Sequence, residues 1–258
     1  MAGLARPMGG LQSGSPRSED AREKKPDEHG RANDREKGDT MRTATEEPAA
    51  QTGAQRHLAR PRFIAAAGAL LLLAGFIVFM GIITAEALYP EGYSTSHNAI
   101  SDLGATEPPD SVSVQPSAAI FDSVMIVGGI LALAGAFCLE RGFRRMPVAI
   151  FGGLTGLGML GVGVFPSNYG NVHTVFALMI FIAGGLAAII SVTVQTPPFS
   201  VISPILGIIT LATLILYTVL ADRSPMAGLG IGGVERWVAY PVVAWVMSFG
   251  GYLMGRAR

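Results

Sequence analysis

The sequence predicts an all-α fold, a bundle of six transmembrane helices behind a disordered N-terminal tail, and three observations predict it. Half of the 258 residues are hydrophobic, too many for an ordinary soluble domain and enough for one membrane bundle. The neutral formal charge hides an asymmetry: residues 1–62 hold 12 of the 19 basic and 10 of the 19 acidic residues, and no lysine follows them. From Phe63 onward, six apolar runs reach about 20 residues, the length a helix needs to cross a hydrocarbon core about 30 Å thick.

Residues 1–62 read as a disordered cytoplasmic tail. The stretch from Met1 to about Gln55 is rich in Gly, Pro, Ala, Arg, Asp and Glu and has no aromatic residue, so it cannot bury enough surface to offset its ordering entropy. It lacks the apolar core and cleavage site of a signal peptide, and its mixed charge argues against a polybasic lipid-binding arm. Met41 is an alternative start, since nothing before it looks structural.

Residues 63–258 read as the six-helix domain. The spans run from Phe63 to Ala85, Pro116 to Leu139, Pro147 to Phe165, Val172 to Val194, Val201 to Ala221 and Val234 to Gly255. Turn residues or charges bound each one, as at Tyr89-Pro90, Pro166-Ser167-Asn168 and Pro197-Pro198. An unpaired amide in lipid costs several kcal/mol, so spans of this kind are helices. Short loops keep arginine on the cytoplasmic side. Arg56, Arg60 and Arg62, then Arg141, Arg144 and Arg145, then Arg256 and Arg258 all fall on one face of a six-span chain. The expectation is therefore a multi-pass protein of the cell membrane with both termini cytoplasmic.

The third span is glycine-rich, with Gly152 and Gly156 in a GxxxG relation and Gly153, Gly158, Gly161 and Gly163 beside them. Small residues of this kind let helix backbones approach closely in lipid, so this is a packing surface. The single cysteine, Cys138, excludes an intrachain disulfide and reads as a packing residue. No internal repeat argues for an inverted-repeat transporter.

The chemistry concentrates at the opposite, outer boundary. YSTSHNAISDLG, residues 93–104, lies in an outer loop of about thirty residues between Glu86 and Gln115, too long for a simple connection. It would act as a lid or plug. Candidate binding residues are His97, Asn98, Ser101 and Asp102 in that loop, Asp122 in the second span, His173 opening the fourth, and Glu235, Arg236 and Tyr240 opening the sixth. Asp102, His173 and Asp122 are the catalytic candidates. A carboxylate such as Asp122 below the headgroup layer is costly and suggests a site. At a helix N-terminus the macrodipole favours a neutral imidazole for His173, able to act as base or ligand. Glu86 and Tyr89 close the first helix, and the simplest geometry brings all these helix ends together beneath the loop. A structural alternative stays open, because Asn98, Ser101 and Asp102 are also good turn formers able to cap the loop's own backbone.

Other chemistries have less support. Three ligands for a divalent metal exist among His97, Asp102, His173, Asp122 and Glu235, yet no HxxxH or HExxH spacing is present, so no metal or other cofactor is expected. A serine nucleophile from Ser94, Ser96 or Ser101 with His97 or His173 lacks a supporting motif. Gly228 to Gly233, read as a loop, follows no strand and is not a dinucleotide or phosphate loop. Arg236 could grip a phosphate, but pairing with Glu235, Asp222 or Asp102 is the commoner fate of such an arginine. Membrane lipids are the expected partners, and nucleic acid is not.

NAISDLGA at 98–105, PSAAIFD at 116–122, GVFPSN at 163–168, HTVFALMIF at 173–181 and GGVERWVAYP at 232–241 together resemble the DUF998 family of integral membrane proteins, over about residues 63–255. That resemblance implies a six-helix prokaryotic membrane protein of unestablished molecular function. Ile100, Ser101, Gly104, Pro116, Ile120, Phe121 and His173 are also similar to a pattern in the Frag1/DRAM/Sfk1 group, which implies lipid remodelling or trafficking and brings no catalytic residue. The leading expectation is an outward-facing polar cavity that binds, and as a further step modifies, a lipid headgroup. The alternatives are a small-solute or ion transporter, disfavoured by the uncharged middle of every span, and a non-catalytic assembly protein whose polar cluster only staples helices.

Overall fold

The computed structural model describes residues 47–90, 92–144, 146–220 and 223–257, and the side chains of residues 47–60 and of Met146 are not among those described. Residues 1–46, which hold most of the expected tail, lie outside them, as do Glu91, Arg145, Asp222 and Arg258. Six helices account for the described chain, which contains no strand: α1 (Glu47–Ala87), α2 (Ser117–Phe143), α3 (Met146–Val164), α4 (Asn171–Ile190), α5 (Phe199–Leu220) and α6 (Gly230–Arg256). All six are long and apolar enough to span a bilayer, which makes this a multi-pass membrane protein.

The helix bounds follow the apolar runs to within a few residues except at α1, which begins at Glu47, ahead of Phe63, and carries Pro61 within it. Charged and polar residues outside a bilayer continue a helix as readily as apolar ones inside it, so the edge of hydropathy and the edge of the helix need not coincide. The span proper starts at Pro61. At α6 the helix also starts early. Gly230 to Gly233, expected as loop, forms its first turn after a short 3₁₀ turn at Ala227–Leu229.

From Ala49 the chain is one compact unit. Helices adjacent in sequence pack side by side from α2 to α6, α6 also touches α4, and α1 closes against α2 and α6 at Gly81 and Gly250. The core runs through this ring from Ala67, Leu71 and Ala74 to Trp245, Phe249 and Leu253. α5 is the outlying member, with only 22% of its span buried.

The glycines of α3 divide their work between neighbours. A methyl at Gly156 would meet Gly129 O at 3.0 Å and Leu133 N at 2.9 Å, so here α2 and α3 touch backbone to backbone. Gly152, its partner in the GxxxG spacing, has only Ala136 Cβ at 3.9 Å. The close approach is therefore at Gly156, about one turn along α3 from Gly152. Gly156→Val should lower stability by about 1–3 kcal/mol, the usual cost of overpacking, while Gly152→Ala should be nearly neutral. Thermal unfolding in detergent distinguishes them, and equal losses would refute the assignment.

Candidate functional site

Residues 88–116 join α1 to α2 and fold back over one end of the bundle, called here the lid end. Apolar side chains drive this docking: Ile100 is 5% exposed and Leu103 is 0% exposed, and both join the core. A 3₁₀ turn at Ser101–Leu103 sits between them. Asn98 and Asp102 serve the loop's own backbone. Asn98 Oδ1 accepts from Ser94 N–H at 2.9 Å, and Asp102 Oδ2 accepts from Ala99 N–H at 2.9 Å and lies 3.4 Å from Asn98 Nδ2. These are the capping contacts that keep a turn shut.

Arg236 fastens the lid to the bundle. Its Nη2 donates to Glu86 Oε1 at the end of α1, at 2.5 Å, and to the Tyr93 hydroxyl at 2.7 Å. Its Nη1 lies 2.9 Å from Thr95 O, 3.1 Å from Asn98 O and 2.9 Å from Gly232 O. Tyr93 in turn donates to Ala99 O at 3.2 Å, and burial outweighs the pull of Arg236 to push its phenol above the ordinary value, so it stays a neutral relay. The partner of Arg236 is thus Glu86, and neither Asp102 nor Glu235. Glu235 is the neighbouring residue on α6, about 100° around the helix, and turns to the other side, where its Oε2 accepts from Ile100 N–H at 2.6 Å. Gly232 makes the docking possible. A Cβ there would collide with Asn98 O and lie 2.6 Å from Thr95 O, so the glycine-rich start of α6 is a seat for the lid.

His173 is buried on the first turn of α4. Its Nδ1 lies 2.8 Å from Phe165 O and its Nε2 3.3 Å from Ser167 Oγ. A carbonyl only accepts, so in the neutral ring Nδ1 carries the proton and Nε2 accepts from the Ser167 hydroxyl. Ser167 is 1% exposed and its hydroxyl also lies 3.5 Å from Ser101 O. Sequence reasoning missed Ser167. It stands in Pro166-Ser167-Asn168, where turn propensity explains a serine without further cause.

The expected cluster therefore divides. Ile100, Ser101, His173 and Glu235 meet at the top of a cavity of about 70 Å³ whose walls are apolar down to Gly75 and Val246. Ser101, His173, Ala177, Phe181 and Glu235 also line a groove of about 280 Å³ between α4, α5 and α6. Arg236 and Tyr240 line a separate shallow groove on the far side of α6. Asp122 sits apart, its Oδ1 buried without a partner in the protein and near Gly104. His97 is exposed, with Nδ1 3.2 Å from Ser94 Oγ and 3.1 Å from Ser96 Oγ, and among the described residues no carboxylate is bonded to its ring. Among the described residues no three of His, Cys, Asp and Glu gather closely enough to hold a metal.

A family model described as Protein of unknown function (DUF998) matches residues 72–252. The chain belongs to the DUF998 family. No curated protein and no solved structure matches it. Every element of the lid end falls inside the DUF998 span, from Glu86 through the lid and His173 to Arg236, whereas the N-terminal segment falls outside it.

Within this DUF998 protein, Asp102 is a titrating group of the lid whose carboxyl the fold perturbs. Burial raises its carboxyl above the ordinary 3.8, ahead of the lowering effect of the Ala99 and Asn98 hydrogen bonds. A raised carboxyl binds its proton more tightly in the folded state, so it contributes stability at low pH that is lost as pH climbs from about 4 through the raised value. Asp102→Asn keeps an oxygen for Ala99 N–H and cannot ionise. Its melting temperature should therefore fall less than that of the wild type between pH 4 and pH 7, and parallel profiles would remove Asp102 from the account.

Proposed function

We propose that this protein binds a lipid headgroup at its lid end, and that this end faces the outer side of the cell membrane with both termini cytoplasmic. One observation carries the binding reading: an apolar cavity whose roof is a small polar patch, Ser101, His173 and Glu235. An apolar cavity stays dry and takes hydrocarbon, and the roof groups lie at the helix ends, where a headgroup would sit. The lid gives the roof its shape, since Glu235 receives Ile100 N–H.

Transport across the bundle has less support. Three of the hydroxyls that interrupt the spans are spent within the fold: Thr155 donates to Phe151 O at 2.8 Å, Ser191 to Ala188 O at 2.6 Å and Thr210 to Val238 O at 3.1 Å, while Ser203 Oγ on α5 is buried without a partner. A transport site near the bilayer midplane needs free polar groups there. The orientation rests on the arginine-bearing loops and ends, including Arg141, Arg144 and Arg256, at the end opposite the lid.

Native mass spectrometry of protein extracted in mild detergent should detect bound lipid on the wild type, and Ala239→Phe, which fills the cavity wall, should reduce it by about tenfold. A wild type that retains no lipid under the gentlest extraction contradicts the reading. In a Cys138→Ser background, Ser111→Cys in the exposed lid should react with a membrane-impermeant maleimide on intact cells. Labelling only after the membrane is breached would reverse the orientation.

A further inference from the structure

The groove between α4, α5 and α6 is apolar with acidic and hydroxylic groups set into it, and among the described residues no lysine or arginine lines it. Its polar members are Ser101, Glu107, Thr174, Tyr217 and Glu235, and His173 stands where it meets the cavity. The nearest arginine in sequence, Arg236, points its two terminal nitrogens at the lid and Glu86. A purely anionic headgroup entering here would meet two carboxylates and no counter-charge beside a low-dielectric membrane. A headgroup ending in an ammonium would find acceptors for its three donors.

The groove also has a low outer wall. α5 contributes only Leu214 and Tyr217 to it, buries the smallest share of its span and carries Pro204, which removes one backbone donor from its ladder. The inner wall is the cavity itself, since Ala177 and Phe181 of α4 line both spaces. A hydrocarbon chain passing α4 would therefore leave one apolar surface for another, with its polar end held at the roof.

We propose that the groove admits a membrane lipid laterally, seats its headgroup ammonium between Glu107 and Glu235, and lays one acyl chain along α4 with a few of its methylenes in the cavity beneath Ser101 and His173. This rests on the lipid-headgroup reading above and adds to it the headgroup class and the route of entry. The lipid phosphate stays at the groove mouth, within reach of water and of the Tyr217 hydroxyl.

The test is a native mass-spectrometric titration of the full chain in mild detergent with three dioleoyl lipids: phosphatidylethanolamine, its N-acetylated form and phosphatidylglycerol. The first should bind about tenfold more tightly than the other two, the value of one charge-assisted hydrogen-bonding contact. Glu107→Gln, at an exposed lid position, should erase most of that preference by weakening phosphatidylethanolamine without weakening phosphatidylglycerol. Glu235→Gln, which keeps an acceptor for Ile100 N–H, should likewise weaken phosphatidylethanolamine and narrow the preference. Ala177→Trp, which obstructs the passage, should weaken all three lipids. Equal or reversed affinities that remain sensitive to Ala177→Trp would overturn the ammonium assignment and leave the lipid site standing. Absence of binding, or binding indifferent to Ala177→Trp, would overturn both.

Discussion

The lid end depends on one guanidinium. Arg236 enters α6 where its head is largely removed from water, with 11% of the side chain exposed, and a charge in that position persists only if its surroundings replace hydration. Glu86 replaces it with charge, and Tyr93 and three carbonyls replace it with dipoles. Four separate pieces of chain, the end of α1, the two halves of the lid turn and the start of α6, are thereby drawn to one point. Removing the arginine would leave Glu86 half-buried and unpaired, the costly way to break such a contact.

Docking the lid has chemical consequences on the other side of α6. Because Arg236 faces the lid, the preceding residue, Glu235, faces the cavity, and the roof of that cavity becomes acceptor-rich. The residue that looked most suited to grip a phosphate is committed to structure. Asn98 and Asp102 are committed likewise, to the turn that carries Ile100 and Leu103 into the core. What remains directed toward the cavity and groove is Ser101, His173 and Glu235, with Glu107 at the rim. Function and fold thus compete for the same polar residues, and the division follows from which side of a helix each one occupies.

Much of this was legible in the sequence because lipid imposes simple rules. Length and hydropathy gave the six spans, and the overlong, polar first loop announced a lid. The turn chemistry of Asn98 and Asp102 could be read from residue type, since both cap locally. The Glu86–Arg236 pair was not legible as a pair, as its members stand 150 residues apart and several nearer acids competed for the arginine. Gly232 looked like loop because its role lies in what approaches it, two carbonyls of the lid. Asp122 and His173 were expected at one depth, yet depth does not fix azimuth, and Asp122 is not among the residues that line the cavity with His173. The start of α1 was invisible to hydropathy, which marks where lipid begins and says little about where a helix does.

The central claim, that Arg236 holds the lid shut over the cavity, is tested most directly by hydrogen–deuterium exchange of residues 93–104 in lipid nanodiscs. A docked lid keeps the amides of Asn98, Ile100, Leu103 and Gly104 bonded, so they should exchange slowly in the wild type and at least about tenfold faster in Arg236→Met, with the transmembrane peptides unchanged. Wild-type exchange as fast as that of a free loop, or an Arg236→Met lid as protected as the wild type, would contradict it.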